Sequence, residues 1–488
     1  MAELSYDLER TEVYLVGDVP SSIATELSHR SMVPKFLGAQ EELTREMSAL
    51  KGVIIQYRPV SRQYWARYLS RMVVQVQDWG GFVILVAEST LTTAARAEVL
   101  ALAGTYSAVR VLVGREAYEV AEECARHVPG REANDDQSCE VIDASDVGDS
   151  ARTLLSRAFN DANRITVESL PGGQSKGATV WKVVSHCEGR GSPAPYAVKC
   201  GDIDRISAEI ASMRDFVDDY IPFVYRAPVL MDRCVSGAWK RLLVTQFVER
   251  ATRLDSYLEA KRPVMAVSAI FDGPLRTWRR TGNREQLTTV KLHDVYTKED
   301  QLIPSPEGLK DAYSCASATY GDVTEPSGLL SDMAACRQEN VEFAMSHGDL
   351  HAKNIFILEN TMQAVLIDFA HAKRRPLSFD PASLEAAIAL GVTGELESLD
   401  TLYSPPLLAA GRTVNEEDVR FEAVRRIRRE AALDCSSEEY DFTVACEFLW
   451  LSTVLVAREP TKAAKAYQLA CRIIRHLKGV SVVENALQ

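Results

Sequence analysis

Over the first 150 residues, short apolar runs alternate with longer stretches of helical spacing. The strand-like runs fall at Val13–Val16, Val53–Tyr57, Phe82–Ala87, Val109–Val113 and Glu140–Ile142, and the helical segments lie near 21–30, 39–50, 61–77, 91–104 and 116–127. Strands that alternate with helices build a parallel sheet covered on both faces. The pattern therefore predicts an α/β module over residues 1–150, of receiver-like or Rossmann-like type. Its chemistry is unassigned: Asp18 stands alone after the first strand, Ala87-Glu88-Ser89 offers no aspartate after the third, and Val16-Gly17-Asp18-Val19-Pro20 lacks the Gly-x-Gly-x-x-Gly of a dinucleotide site. A docking or sensing role is expected.

From Ala151 the pattern changes. A helix over 151–162 is expected to link this module to a second one or to pack on the strands of the second. Next come a strand at Ile165–Leu170, a glycine-containing turn at Pro171-Gly172-Gly173-Gln174-Ser175-Lys176-Gly177, and a strand at Ala178–Val183. Tyr196–Cys200 reads as a strand with one lysine among apolar neighbours, Ser207–Met213 as a helix, and Leu242–Val248 as a buried strand. Ile355–Leu358 and Ala364–Ile367 read as a hairpin turning at Glu359-Asn360. Residues 394–488 are mostly helical, and Leu449–Ala457, the most apolar stretch, reads as a core helix.

The hairpin carries the chemistry. Asn354 precedes its first strand and Asp368 follows its second, so the turn brings the two side chains to neighbouring ends, with Asp349 five residues before Asn354. An aspartate in a tight loop can take the proton of an attacking hydroxyl, while an asparagine and a second carboxylate hold Mg²⁺ against a transferring phosphoryl group. Mg²⁺ accepts such amide and carboxylate oxygens at about 2.0–2.1 Å. A single aspartate between strands means little, but His347-Gly348-Asp349, Asn354 and Ile367-Asp368-Phe369 together form a specific signature.

The runs HGDLHAKNIF and LIDFA resemble the aminoglycoside phosphotransferase and choline kinase superfamily, the small-molecule branch of the protein-kinase-like fold. A protein kinase usually has lysine two residues after the catalytic aspartate; here that position is His351, and Ala370 replaces the glycine of Asp-Phe-Gly. Phe379-Asp380-Pro381-Ala382-Ser383-Leu384-Glu385 further resembles a bacterial subgroup called the ternary complex associated kinase-like domain. The resemblance implies a bilobal phosphotransferase with a helical C-lobe, and catalytic roles for Asp349, His347 and Asn354 with metal at Asn354 and Asp368. It implies ATP held by Lys199 with Glu209 as its partner, by Gly172, Gly173 and Ser175 over the phosphates, and by the backbone of Gln246, Phe247 and Val248 at the base. GTP in place of ATP stays open, because backbone groups read the base.

Composition narrows the partners. With 55 Lys and Arg against 68 Asp and Glu the net charge is −13, which disfavours broad nucleic-acid or anionic-membrane binding. Arg420, Arg425, Arg426, Arg428 and Arg429 form a local cluster, read as a solvated helix face with Glu422 and Arg426 at pairing distance. Ten cysteines show no Cys-x-x-Cys and no zinc spacing, so free thiols are expected. No cationic leader precedes an apolar core, and no run reaches the roughly 20 apolar residues of a membrane span, so the expected location is cytoplasmic.

These observations predict a multi-domain α/β plus α+β chain: a parallel-sheet module over 1–150, a kinase-like N-lobe over 151–250 and a helical C-lobe over 251–488. The long stretch Ala251–Met345, with Arg276, Trp278, Arg279 and Arg280, reads either as a substrate-recognition insertion or as surface loop. The expected activity is ATP- and Mg²⁺-dependent transfer of the γ-phosphate to a small-molecule hydroxyl. Two alternatives stand beside it: a kinase-like regulator of a bacterial defence or signalling system acting on a protein partner held by the N-terminal module, and a nucleotide-binding scaffold without turnover.

Overall fold

A computed structural model describes residues 11–38, 50–57, 71–104, 109–127, 130–134, 136–143, 147–175, 177–189, 194–260, 263–280, 284, 288–299, 302–336, 339–403 and 418–487. The chain forms two compact units, one of Met1–Ala208 with Pro228–Phe247 and one of Glu209–Ala227 with Val248–Gln488. These units cut across the expected ranges.

The first unit contains two sheets. β1 (Glu12–Val16), β2 (Val33–Leu37), β3 (Leu50–Gln56), β4 (Phe82–Ala87) and β5 (Val109–Val113) form a parallel sheet in the order 2-1-3-4-5. The helices α1 (Ser21–His29), α2 (71–78) and α3 (Thr93–Gly104) lie between its strands in sequence, and α4 (Ala117–Arg126) follows β5. β3 and β4 are buried nearly throughout, as a parallel strand covered on both faces should be. β2 is absent from the strands expected from the sequence. Its residues Val-Pro-Lys-Phe-Leu break the apolar run, and Pro34 suits an edge strand, which is where β2 lies. Positions 39–49, where a helix is expected, and 61–70 of the next one lie outside the described residues.

The second sheet takes the strand that the sequence assigns to the first. β6 (Ser138–Ile142) pairs in parallel with β7 (Arg164–Ser175), which continues antiparallel to β8 (Ala178–His186), β9 (Ala194–Asp202) and β10 (Lys240–Gln246). The apolar side chains that mark a strand do not say which sheet it joins; that is decided by a partner more than twenty residues away, Ser138 lying opposite Arg164. α5 (Asp149–Ala158) covers this sheet, and its Leu154, Leu155 and Ala158 meet Trp181, Val183, Val198 and Val244 in one core. From the same helix Arg157, almost wholly buried, donates to the carbonyls of Asp78, Ser236 and Arg131 at 2.6, 2.9 and 2.8 Å. The Asp78 carboxylate in turn accepts the Ala238 N–H at 2.9 Å. The two sheets of this unit are thereby tied by buried hydrogen bonds.

α6 (Ile203–Phe216) runs from the first unit into the second. The second unit is mainly helical: α7 (Leu254–Glu259), α8 (Pro263–Asp272), α9 (Pro274–Arg280), α10 (Leu292–Asp294), α11 (Lys310–Tyr320), α12 (Pro326–Ala334), α13 (Phe379–Gly391), α14 (Ser398–Leu402), α15 (Val419–Ala431), α16 (Ser437–Leu455) and α17 (Pro460–Leu487). Its strands are short. β11 (Ala251–Arg253), β15 (Ile355–Leu358) and β16 (Gln363–Leu366) form one sheet, while β12 (Thr288–Val290) pairs with β13 (Glu339–Val341) and β14 (Phe343–Ser346) with β17 (Lys373–Pro376). α16 is apolar as expected, but Trp450 and Val454 on one side of its last turns are exposed. No helix of the described residues is long and apolar enough to cross a membrane.

Candidate active site

The residues Asp349, Asn354 and Asp368 lie in the second unit, between β14 and β17. Gly348 turns the chain out of β14 with φ +79°, and a Cβ there would run into the Arg375 guanidinium and the His371 carbonyl. Asp349 follows with its side chain about one third exposed, and Leu350 is fully buried beneath it. The 3₁₀ turn Ala352–Asn354 then delivers the chain into β15, with His351 as its cap. Asn354, nearly buried, donates its Nδ2–H to the Asp349 carbonyl at 3.0 Å, which fixes the backbone of one residue by the side chain of the other.

β15 and β16 pair antiparallel, with Ile355 opposite Leu366, and the Ile367 N–H donates to the Asn354 carbonyl at 3.0 Å. The expected hairpin is therefore present, with its second strand one residue earlier than read from the sequence. It brings Asp368 next to Asn354 along the sheet end. Asp368 is exposed and holds φ +62°, a left-handed conformation that costs a non-glycine residue about 1–2 kcal/mol. The following residues are clamped: Ser212 on α6 donates its hydroxyl to the carbonyls of Phe369 and Ala372 at 3.0 and 3.1 Å.

His347 belongs to the frame and not to the reacting surface. It is fully buried, its Nε2–H donates to the Ile367 carbonyl at 2.9 Å, and its ring centroid lies 4.9 Å from that of Phe369. Burial pushes its pKa down against the pull of the Asp380 and Asp349 carboxylates, so the ring is neutral. The catalytic role expected for it is corrected to one of support. Trp278 and Arg279 are likewise structural. Trp278 is buried, donates Nε1–H to the Phe216 carbonyl at 3.2 Å and lies 5.9 Å from Phe369, centroid to centroid. Arg279 binds the Asp434 carboxylate at 2.6 Å and the Leu377 carbonyl at 2.8 Å. These two leave the expected acceptor-recognition set because their polar atoms are consumed inside the fold.

Two residues outside the expected site turn out to hold it. The Asp380 carboxylate, at the start of α13, accepts from Ser346 Oγ at 2.7 Å, the His347 N–H at 2.8 Å and the Gly348 N–H at 3.1 Å. Five residues on, the fully buried Glu385 takes a bidentate grip from Arg428 of α15 at 2.7–2.9 Å and the hydroxyls of Tyr403 and Tyr440 at 3.0 and 2.8 Å. Burial pushes the Glu385 carboxyl up, against Arg428, which pulls it down. α13 thus holds the loop that bears Asp349 at one end and is locked to the C-terminal helices by its middle. The run from Asp380 to Glu385 was visible in the sequence, but only as a family resemblance.

The same contacts correct the arginine cluster. Arg420 and Arg428 are buried, Arg420 against Asp418 at 2.5 Å and Arg428 against Glu385 and Asp441, and Arg426 pairs with Glu430 at 2.6 Å. A run of cations interrupted by acids looks like a solvated face when the partners contributed by other helices are unknown.

In the first unit, Lys199 sits in the middle of β9, opposite Val180 of β8 and Leu243 of β10, and is buried to about nine tenths. Glu209, on the part of α6 that belongs to the second unit, is buried. Gly172 and Gly173 fall in the register shift of β7 between Ser169 and Gln174, where residues 170–173 have no partner on β8, and Ser175 pairs with Ala178. Gln246 ends β10, and the N–H groups of Gln246 and Phe247 donate to the carbonyls of Pro228 and Pro195 at 3.1 and 3.4 Å. Those two donors are used inside the unit.

The donor set suits a hard divalent cation. Committing the Asn354 Nδ2 to a carbonyl leaves Oδ1 as its ligating end, and Asp368 adds carboxylate oxygens. Among the described residues no group of three or more His, Cys, Asp or Glu gathers to hold a metal by itself. Mg²⁺ typically takes one or two carboxylates and draws the rest of its ligands from phosphate and water.

No protein-family model matches the chain, and no curated protein matches its sequence. Solved structures to which the chain is similar include small-molecule kinases and phosphotransferases. One is a glucosamine kinase in complex with glucosamine, ADP and inorganic phosphate, at 12% identity and TM-score 0.38, over 70% of this chain and 89% of that one. A second is an aminoglycoside phosphotransferase in ternary complex with AMP-PNP and hygromycin B, at 13% and 0.35, over 63% and 93%. A third is an ethanolamine kinase of Plasmodium vivax, at 11% and 0.35, over 64% and 84%.

Proposed function

We propose that this protein is an ATP- and Mg²⁺-dependent phosphotransferase acting on a hydroxyl of a small molecule. The observation that carries the reading is the arrangement of Asp349, Asn354 and Asp368: a part-exposed carboxylate whose backbone is held by an asparagine, whose own carbonyl accepts the N–H of Ile367, the residue before a second, exposed carboxylate.

In this reading Asp349 orients the acceptor hydroxyl and takes its proton as the oxygen attacks the γ-phosphorus; the bond to the β-phosphate oxygen breaks and ADP leaves. Asn354 and Asp368 would hold Mg²⁺, which when bound neutralises charge on the phosphates. Lys199 would bind the α- and β-phosphates. Catalysis of this kind is chiefly positioning and electrostatic stabilisation, and a framework that pins both sides of the loop supports it.

The second reading is a regulator that phosphorylates a protein partner. In its favour is the parallel sheet between residues 12 and 113, which carries none of the phosphate-transfer residues and suits a docking role.

The test uses γ-labelled ATP with Mg²⁺, a panel of glucosamine, hygromycin B and ethanolamine, and a cell extract, with Asp349→Ala alongside. Label entering a small molecule only with the unaltered protein supports the first reading, and label on a protein band supports the second. ATP binding without any transfer would favour a scaffold and overturn both.

A further inference from the structure

We infer that His351 is a positioning residue that holds the Asp349 carboxylate in its reacting orientation; the inference rests on the phosphotransferase reading. The hydrogen bond from Asn354 Nδ2 fixes the Asp349 carbonyl, but it leaves the carboxylate to rotate. His351 supplies what is missing.

One end of its imidazole is committed. Nδ1 accepts the Lys353 N–H at 3.2 Å, capping the turn that leads to Asn354. A ring nitrogen that accepts carries no proton, so the neutral ring is the Nε2–H tautomer. That Nε2 lies 3.7 Å from Asp349 Oδ2, with both side chains about one third exposed. The separation is just beyond hydrogen-bond range, and hydrogen bonds at catalytic groups are often long before substrate binds and shorten in the complex. With Oδ2 held by the imidazole, Oδ1 is the oxygen left to meet the acceptor hydroxyl. One side chain then sets two things together: through Nδ1 the turn bearing Asn354, and through Nε2 the carboxylate of Asp349.

The two ends can be separated by substitution. Asparagine reproduces the Nδ1 end, since its Oδ1 can still accept the Lys353 N–H, but it presents nothing at the Nε2 position. Glutamine places an amide N–H near the Nε2 position. ATP turnover by the full chain with Mg²⁺ is measured for the unaltered protein, His351→Asn and His351→Gln, with and without the acceptor panel, together with melting temperatures. The expected result for His351→Asn is a fall in kcat of roughly 10- to 100-fold, the scale of a misplaced catalytic group. Its KM for ATP and its melting temperature should stay unchanged, with part of the kcat restored in His351→Gln. A double-mutant cycle adds a second check: in an Asp349→Asn background, His351→Asn should have no further effect, because the residue it acts through is gone.

Turnover in His351→Asn equal to the unaltered protein overturns the inference and leaves the phosphotransferase reading intact. So does an equal loss in both variants accompanied by lower melting temperatures, which would make His351 a cap only, and so does a full additional loss in the Asp349→Asn background. Absence of turnover in the unaltered protein removes the phosphotransferase reading and this inference with it.

Discussion

The Asp380 carboxylate holds the backbone of His347, accepting its N–H at 2.8 Å, and accepts the next N–H, from Gly348, at 3.1 Å. A helix therefore sets the geometry of a loop more than thirty residues earlier in the chain. Asp380→Ala would leave two backbone N–H groups and the Ser346 hydroxyl without their acceptor. Hydrogen bonds to a charged group contribute about 1.5–3 kcal/mol each, and they share one carboxylate here, so a loss of about 2–4 kcal/mol is expected in urea unfolding. Turnover should fall as well. A variant as stable and as active as the unaltered protein would show that the loop holds its shape without this contact.

Gly348→Ala is expected to be worse than its size suggests. The new Cβ meets the Arg375 guanidinium and the His371 carbonyl at a φ of +79°, where an L side chain is already strained. The loop can escape only by moving Asp349. Thermal unfolding and turnover measured together should both decline; a neutral result would mean that the Arg375 side chain and the His371 carbonyl both shift aside at no cost.

Asp368→Asn should reduce turnover at least as much as Asp349→Ala, because the proposed metal site loses its only carboxylate while the proposed base is one contributor among several. The comparison is made at saturating Mg²⁺ and ATP. Full activity in Asp368→Asn would exclude the proposed site.

Arg428→Met leaves Glu385 buried with two tyrosine hydroxyls and no cation. Breaking a buried pair from one side costs about 3–5 kcal/mol, whereas replacing both partners by apolar residues of similar volume is often close to neutral. Because Glu385→Leu also strands the Tyr403 and Tyr440 hydroxyls and Asp441 still lacks Arg428, the double variant Arg428→Met with Glu385→Leu should recover only part of the stability lost by the single one in denaturant titrations. No recovery would assign the loss to packing instead of to the unpaired carboxylate.

Glu439 gives a pH dependence with a definite sign. Burial pushes its carboxyl up to about 7, helped by Glu339 and opposed by a hydrogen bond from Ser378. The folded state then holds a proton that the unfolded chain releases near pH 4.5, so this group's contribution is full below that value and is lost as pH rises through about 7. Melting temperatures between pH 5 and pH 8 should fall less steeply in Glu439→Gln than in the unaltered protein. Parallel curves would show that Glu439 titrates in the ordinary carboxylate range.

What the sequence determined by itself was local. The hairpin Ile355–Leu366, the short spacing from Asp349 to Asn354, and the strand that carries Lys199 come from patterns within a few residues, where backbone geometry leaves little choice. What only the tertiary structure decided were matters of partnership between distant segments. These include the sheet that Ser138–Ile142 joins, the burial of His347 and Trp278, the pairing of Arg428 with Glu385, and the hold of Asp380 on the loop. The physical reason is the same in each case. A charge or an aromatic ring has no fixed environment of its own; whether it faces water or closes a buried hydrogen-bond network depends on groups that the chain brings beside it only once it has folded.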